Sequence, residues 1–362
     1  MDHKPKITIK EATPDDLPVL AQLLRDRDEV PYETTDVEDY LFHCDPEHFL
    51  AWIAHVDDQP AGMTALYMRD VTFDHGEKIR RRSGFWSHLY IDPKYRKLMV
   101  YTQLVFAMNR AMRSSGIDMI YTATRQTVVA ESHQKIGYRL MGTIPVDFRP
   151  LRPFRMLARH KFPAKFIEAA ASVPDLGWRA WLSIGRSRAP GGVTIERIDT
   201  GDSRIEQIVA MMQDRARGTV AMDWSVEYFQ KRFRTAIDHA PYRIHVASRD
   251  GQVIAASIHR VGDRHGIRFG IVIDLLVGPE DGQVGAALLS TMQDSMVRDG
   301  ADAILSMGGM QEPVPGIVRS ARFMRSPEQY HLLVYPGPLV PEESWEGDLD
   351  HWTFCFSDHD AF

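Results

Sequence analysis

The chain has 362 residues, 44% apolar and 25% charged, ordinary values for a globular protein with a real core. That length predicts two domains. A net charge of -6 excludes a global basic field, so no DNA partner is expected. Two cysteines, Cys44 and Cys355, make no disulfide framework and imply a reducing compartment. The N-terminus has no apolar signal segment, and no run approaches the roughly 18 apolar residues that span a bilayer, so a cytoplasmic protein is expected.

In chain order, Ile7–Ile9 opens a short strand. Thr13 as cap, Pro14 at the first helical position and Asp16 in the first turn start a helix carrying Leu17, Leu20 and Leu24. Phe49–Val56 and Gly62–Val71 read as a hairpin turning at Asp57–Pro60. Phe85–Ile91 is a strand, Gln103–Met112 a helix stopped near Gly116, Met119–Ala123 a strand, Val129–Lys135 a helix and Tyr138–Val146 a strand. Residues 147–190 carry Arg149, Arg152, Arg155, Arg179, Arg186 and other basic residues, broken by prolines. This basic linker is either a solvated connector or a patch for a phosphate-bearing substrate or an anionic membrane, with Trp178, Trp181 and Leu182 adding apolar weight.

The second half restarts the same order. Val193–Glu196 resembles Ile7–Lys10, a hairpin follows at His245–His259, and Ile271–Val277 stands where Phe85–Ile91 does. Leu104, Met108, Met112, Gly116, Asp118 and Ile120 recur as Leu288, Met292, Met296, Gly300, Asp302 and Ile304, all at one offset of 184. This predicts an internal duplication. The expected layout is an α/β fold of mixed sheets, with residues 1–146 and 191–362 as tandem domains and 147–190 between them.

The stretch Leu89-Tyr90-Ile91-Asp92-Pro93-Lys94-Tyr95-Arg96 runs a strand into a proline, a basic turn and a helix start. Free amides at such a turn, with Arg96 and Lys97 beside them, form an anion cradle suited to a pyrophosphate. This segment resembles the main motif of the GNAT superfamily of acyl-CoA-dependent N-acyltransferases, and Ser132–Tyr138 is similar to that family's helix-to-strand junction. The resemblance covers about residues 5–146 and, more weakly, about 192–335. It implies an acetyl-CoA or other acyl-CoA co-substrate held by Leu89, Ile91, Arg96, Lys97, Leu98, Met99, Val100 and Tyr101. It also implies a small-molecule amine acceptor, such as an amino sugar or amino acid.

The sequence departs from the family pattern at three points. Met99 and Tyr101 stand where the family has small residues, which narrows phosphate access. The family's proton-donor tyrosine position is held by His133, either a donor to the leaving thiolate or a surface histidine. The usual strand carboxylate is missing, leaving His88 as the nearest base or as a buried, hydrogen-bonded core residue. In the second half Asp274 replaces His88, Gly285 replaces Tyr101, and Glu280 and Asp281 replace the basic charges. That copy is expected to be degenerate, shaping the acceptor pocket or serving structure alone. Tandem GNAT-like folds also include tRNA-dependent aminoacyl transferases of the peptidoglycan-bridge type, a second activity to weigh; a non-catalytic scaffold is a third. Asp348, Asp350, His351, Asp358, His359 and Asp360 invite a metal, but their spacing fits no tight site.

Overall fold

The computed structural model describes residues 5–30, 32–38, 41, 49–74, 78–161, 165–183, 186–234, 239–264, 266–337 and 349–359. Cys44, Asp348 and Asp360 lie outside these. The first half runs β1 (Ile7–Glu11), α1 (Leu17–Asp28), α2 (Thr34–Glu38), β2 (Phe49–Val56), β3 (Gln59–Met68), β4 (Val71–Asp74), β5 (Lys78–Arg81), β6 (Ser83–Ile91), α3 (Val100–Ser114), β7 (Met119–Thr124), α4 (Thr127–Lys135) and β8 (Arg139–Pro150). After α5 (Pro153–Lys161) and α6 (Lys165–Ser183) come β9 (Val193–Ile198), α7 (Ile205–Arg215), β10 (Val220–Met222) and α8 (Val226–Arg232). The chain ends with β11 (Arg243–Arg249), β12 (Gln252–Arg264), β13 (Ile267–Val277), α9 (Gly282–Arg298), β14 (Ala303–Met307), α10 (Val314–Ser320) and β15 (Met324–Pro336). No described helix is long and apolar enough to cross a membrane.

Two compact units divide the chain, and they do not coincide with a split at residues 146 and 191. Unit 1 is Met1–Gly142 with Gly218–Asp223 and His331–His351; unit 2 is Thr143–Arg217 with Trp224–Tyr330 and Trp352–Phe362. The sheet of unit 1 is ordered β1-β2-β3-β6-β7-β15, closing with His331–Pro336 antiparallel to Thr124–Met119. The sheet of unit 2 is ordered β8-β14-β13-β12-β11-β9, and Val146–Pro150 pairs antiparallel with Met307–Ala303. Each unit therefore takes a strand from the other sequence half. Residues 147–190, expected as a solvated connector or a basic patch, belong to unit 2 and comprise the end of β8, α5 and the long helix α6, which runs through Pro174. Asp175, buried in α6, accepts from the Phe154 and Arg155 amides at 3.0 Å each, capping α5. Trp178 Nε1 donates to the Pro150 carbonyl at 3.0 Å.

The local signals explain the elements. Thr13 and Asp16 cap the 3-10 turn Pro14–Asp16 that leads into α1, the Thr13 amide donating to Asp16 Oδ2 at 2.9 Å. Asp57 and Asp58 both adopt positive φ, as do Asp250 and Gly251, the backbone of a two-residue hairpin turn. The returning strand of the first hairpin ends at Met68 rather than Val71; Val71–Asp74 leaves it to pair with β5 and β10. Leu104, Met108 and Met112 of α3 are buried, as are Leu288, Met292 and Met296 of α9. Gly116 and Gly300 end these helices at φ of 64° and 89°, conformations that favour glycine. Asp118 then accepts from the Arg82 amide and Asp302 from the Arg268 amide.

In unit 2, His245 and His259 stack with ring centroids 5.1 Å apart, both buried. Burial, reinforced by Arg197, Arg298 and Arg243, holds His245 down at about 4; burial and the neighbouring His245 hold His259 well below 6.5. The unfolded chain takes up protons near 6.5, so it binds more protons than the fold between those values. This contribution to stability is complete above pH 6.5 and is lost as pH falls through 4. Urea unfolding from pH 7.5 to 4.5 should show stability declining with acid, and His245→Gln should flatten that decline. An unchanged slope in the variant contradicts the assignment.

Candidate functional site

The site begins where two parallel strands part. β6 pairs with β7 only at Ser83↔Met119, Gly84↔Ile120 and Phe85↔Tyr121, and Thr122 Oγ1 then donates to the Trp86 carbonyl at 2.9 Å. From Ser87 to Ile91 β6 has only β3 beside it. The β3–β6 register shifts between Met63 and Ala65, and His88 at the shift has a φ of 53°. A bulge of this kind re-aims side chains and ends pairing. Leu89, Tyr90 and Ile91 are half-buried beyond it.

The strand runs into a single 3-10 turn, Pro93–Tyr95, capped by Asp92, whose side chain accepts from the Lys94 amide at 2.9 Å. The Leu98 amide donates to Tyr95, and the Gln103 amide to Met99. Among the described residues, the amides of Lys97, Met99, Val100, Tyr101 and Thr102 have no backbone acceptor. They are the open donors expected at the start of a helix, and they carry the positive end of its dipole. Arg96 and Lys97 are exposed beside them; Arg96 Nε lies 3.4 Å from the Ile91 carbonyl. Lys94 pairs with Asp92 at 3.0 Å instead of facing the cradle. The two large residues at the small positions diverge: Met99 is 62% exposed, while Tyr101 turns toward α4. Leu98 packs half-buried against the core.

His133 is not on the surface. It is 2% exposed, stacked on Trp86 at 4.1 Å and 16°, with its Nδ1 3.0 Å from the Tyr101 hydroxyl. Trp86 is itself pinned by Nε1 donating to Thr64 Oγ1 at 2.5 Å. Burial pushes His133 down to about 4, opposed only in part by a hydrogen bond to the Val129 backbone. The imidazole is therefore neutral at pH 7 and holds no spare proton of the kind expected from an exposed histidine. Burial raises the Tyr101 hydroxyl above its ordinary value.

His88 lies apart from this group. Arg27 Nη1 of α1 lies 2.7 Å from its Nδ1, and the Tyr67 hydroxyl lies 2.8 Å from its Nε2. A guanidinium only donates, so Nδ1 is the acceptor and Nε2–H donates to Tyr67. Both ring nitrogens are engaged, which leaves no free lone pair for an amine. Tyr67 also packs on Phe49, with Arg69 5.2 Å from its ring centroid, an aromatic and cationic group that sequence spacing did not single out. A cleft of about 460 Å³ beside the outer face of α3, lined by Phe106, Arg110 and Arg113, contains none of these groups.

Residues 17–138 match the acetyltransferase (GNAT) family. A search of curated protein sequences gives no match. Solved structures share the fold across nearly the whole chain. Saccharomyces cerevisiae N-myristoyltransferase with bound myristoyl-CoA aligns with a TM-score of 0.64 at 10% identity, over 94% of this chain and 88% of that one. A GCN5-related N-acetyltransferase from Anabaena variabilis aligns at 0.58 and 11% identity, over 91% and 72%. One from Kribbella flavida aligns at 0.55 and 12%, over 91% and 71%. Within the matched stretch the parted strands and the open amides adjoin, and Tyr101, in contact with His133, stands at the start of α3.

Unit 2 repeats the parting but fills it. β13 pairs with β14 only from Phe269↔Ala303 to Val272↔Ser306. Residues Trp352–His359 are buried there: Ser357 Oγ donates to Asp274 Oδ2 at 2.8 Å, and the Phe354 amide to the Gly309 carbonyl at 3.3 Å. A Cβ on Gly309 would sit 1.9 Å from the Phe354 carbonyl oxygen, so only glycine admits this tail. Asp274 is buried with Arg215 at 2.6 Å, and Asp358 accepts from the Cys355 amide, so neither stands as a metal ligand or a free base. Gly285, at the place of Tyr101, makes room for Ile317 and Val277, each within 2.7 Å of where its Cβ would lie. Asp281 pairs with Arg249.

The buried state of His133 has a direct readout. In NMR titration of the full chain its imidazole should keep neutral-form shifts from pH 8 down to about 5.5, with the midpoint near 4. A midpoint at 6–7 contradicts this geometry.

Proposed function

We propose that the stretch matching the GNAT family transfers an acyl group from acyl-CoA to a small-molecule amine. The observation carrying this reading is the parting of β6 from β7 directly ahead of the open amides of Lys97, Met99, Val100, Tyr101 and Thr102. The pyrophosphate takes those amides with Arg96 and Lys97; the pantetheine pairs with the backbone edge of Leu89 and Ile91 left open by β7. We read the chain as a tandem pair in which the second copy, its parting filled by the C-terminal tail, carries no co-substrate.

The amine nitrogen attacks the thioester carbonyl, the carbon–sulfur bond breaks, and the thiolate leaves with a proton from the Tyr101 hydroxyl. The ammonium formed at the amine loses its proton through water, and that proton restores Tyr101. His133, neutral and fixed by Trp86, positions the tyrosine hydroxyl. The surroundings that raise Tyr101 also penalise the thiolate, so the proton moves between two groups shifted in the same direction. His88 orients Tyr67 on the α1 side, where the acceptor enters.

Two outcomes test this. Calorimetry should show acetyl-CoA binding to the full chain, weakened in Arg96→Ala by roughly 1–3 kcal/mol for a lost charge-assisted contact. No binding by the wild type, or equal binding by the variant, contradicts it. With an amine substrate, Tyr101→Phe should lower kcat by about 10²-fold with little change in KM. Wild-type turnover by Tyr101→Phe removes the tyrosine from the chemistry.

A further inference from the structure

Unit 2 contains a cavity of about 110 Å³ lined by Arg149 of β8, Arg186 beyond α6, Ser290 and Gln293 of α9, Ser320 of α10 and Arg322. Arg149 is 4% exposed; its Nη2 lies 3.4 Å from the Leu182 carbonyl and its Nε has no hydrogen-bond partner among the described residues. Gln293 is 2% exposed and its Nε2 donates to nothing among the described residues. Arg186 pairs with Asp294 through one arm, but its Nε is likewise unpartnered. Arg322 lies 4.1 Å over the Trp181 ring and donates to the Trp181 carbonyl. Among the described residues, Asp294 pairs with Arg186, Arg149 and Arg322 have no carboxylate beside them, and the Nε groups of Arg149 and Arg186 and the Nε2 of Gln293 point to no acceptor. Burial and the nearby Arg186 and Arg322 hold Arg149 down at about 10, still charged at neutral pH.

Buried donors without acceptors and unbalanced buried charge are both costly, and a bound anion relieves both. The cavity is far below the roughly 300 Å³ of ordinary small-molecule pockets, so it suits one compact group. Several donors converging from different elements match the many acceptor positions of a tetrahedral oxyanion better than the two oxygens of a carboxylate. We propose that this cavity binds a phosphate group, either inorganic phosphate or the phosphate of a small phosphomonoester. The basic segment after residue 147 then supplies two of its arginines, Arg149 and Arg186, to a specific site instead of a diffuse patch. The inference stands independently of acyl transfer, since every residue named belongs to unit 2.

Thermal unfolding of the full chain at constant ionic strength tests it, with sodium phosphate, glycerol 3-phosphate, acetate and chloride as probes. Phosphate and glycerol 3-phosphate should raise Tm saturably by several degrees, while acetate and chloride do not. Saturation at lower concentration by one of the two phosphates assigns the free ion or the monoester. The saturable rise should vanish in Arg186→Gln and in Arg322→Asn, whose asparagine accepts the φ of 61° at that position. Arg149→Met should abolish it too where that variant folds. No saturable rise in the wild type, the same rise with acetate, or an undiminished rise in Arg186→Gln and Arg322→Asn overturns the proposal.

Discussion

The structure of the candidate site depends on one constraint: backbone donors and acceptors freed when parallel strands part must find other partners. β6 leaves β7 after Phe85, and the bulge at His88 lets the rest of β6 run on without it. Proline at position 93 then stops the strand, and the following turn delivers a row of open amides at the start of α3. The edge of β6 that β7 leaves and the helix start beyond the turn follow one another, and among the described residues the amides of Lys97, Met99, Val100, Tyr101 and Thr102 have no backbone acceptor. Unit 2 meets the same constraint differently, because its own tail enters the parting and Gly309 is small enough to admit it. A shared local geometry is therefore open in one unit and filled by the chain itself in the other.

The aromatic and imidazole side chains around the first parting form a fixed group. Trp86 is anchored to Thr64, His133 stacks on Trp86, and Tyr101 reaches His133. Because burial keeps His133 neutral, the group positions a hydroxyl and does not present an imidazolium. The tyrosine that reads as an obstacle in the phosphate loop turns its side chain away from the amides. The second large residue, Met99, projects into solvent. Both substitutions leave the amide line open.

Much of the fold is legible in the sequence because the signals are local. The helical spacing of Leu104, Met108 and Met112, the stop glycine and the aspartate after it recur in α9, and each copy makes the same bond from Asp118 or Asp302. The open helix start is also readable, since a strand, a proline and a helix start are contiguous. What stays hidden is non-local. Nothing in Arg139–Pro150 or Met324–Pro336 announces which sheet each strand completes, because a strand's own residues carry its faces but not the identity of its neighbour. Tyr101 and His133 are 32 residues apart, and the contact depends on how α3 and α4 pack. His88 looks like a base until Arg27, from another element, takes its lone pair. Pro174 reads as a helix breaker, yet α6 runs past it, held by Asp175 on α5 and Trp178 on β8.

Amide hydrogen exchange with and without acetyl-CoA tests the central claim most directly, because it reads the freed backbone groups themselves. The account predicts slowed exchange in peptides covering residues 87–102 and unchanged exchange in those covering 273–285. Protection confined to 273–285, or absent from 87–102 at saturating acetyl-CoA, would contradict it.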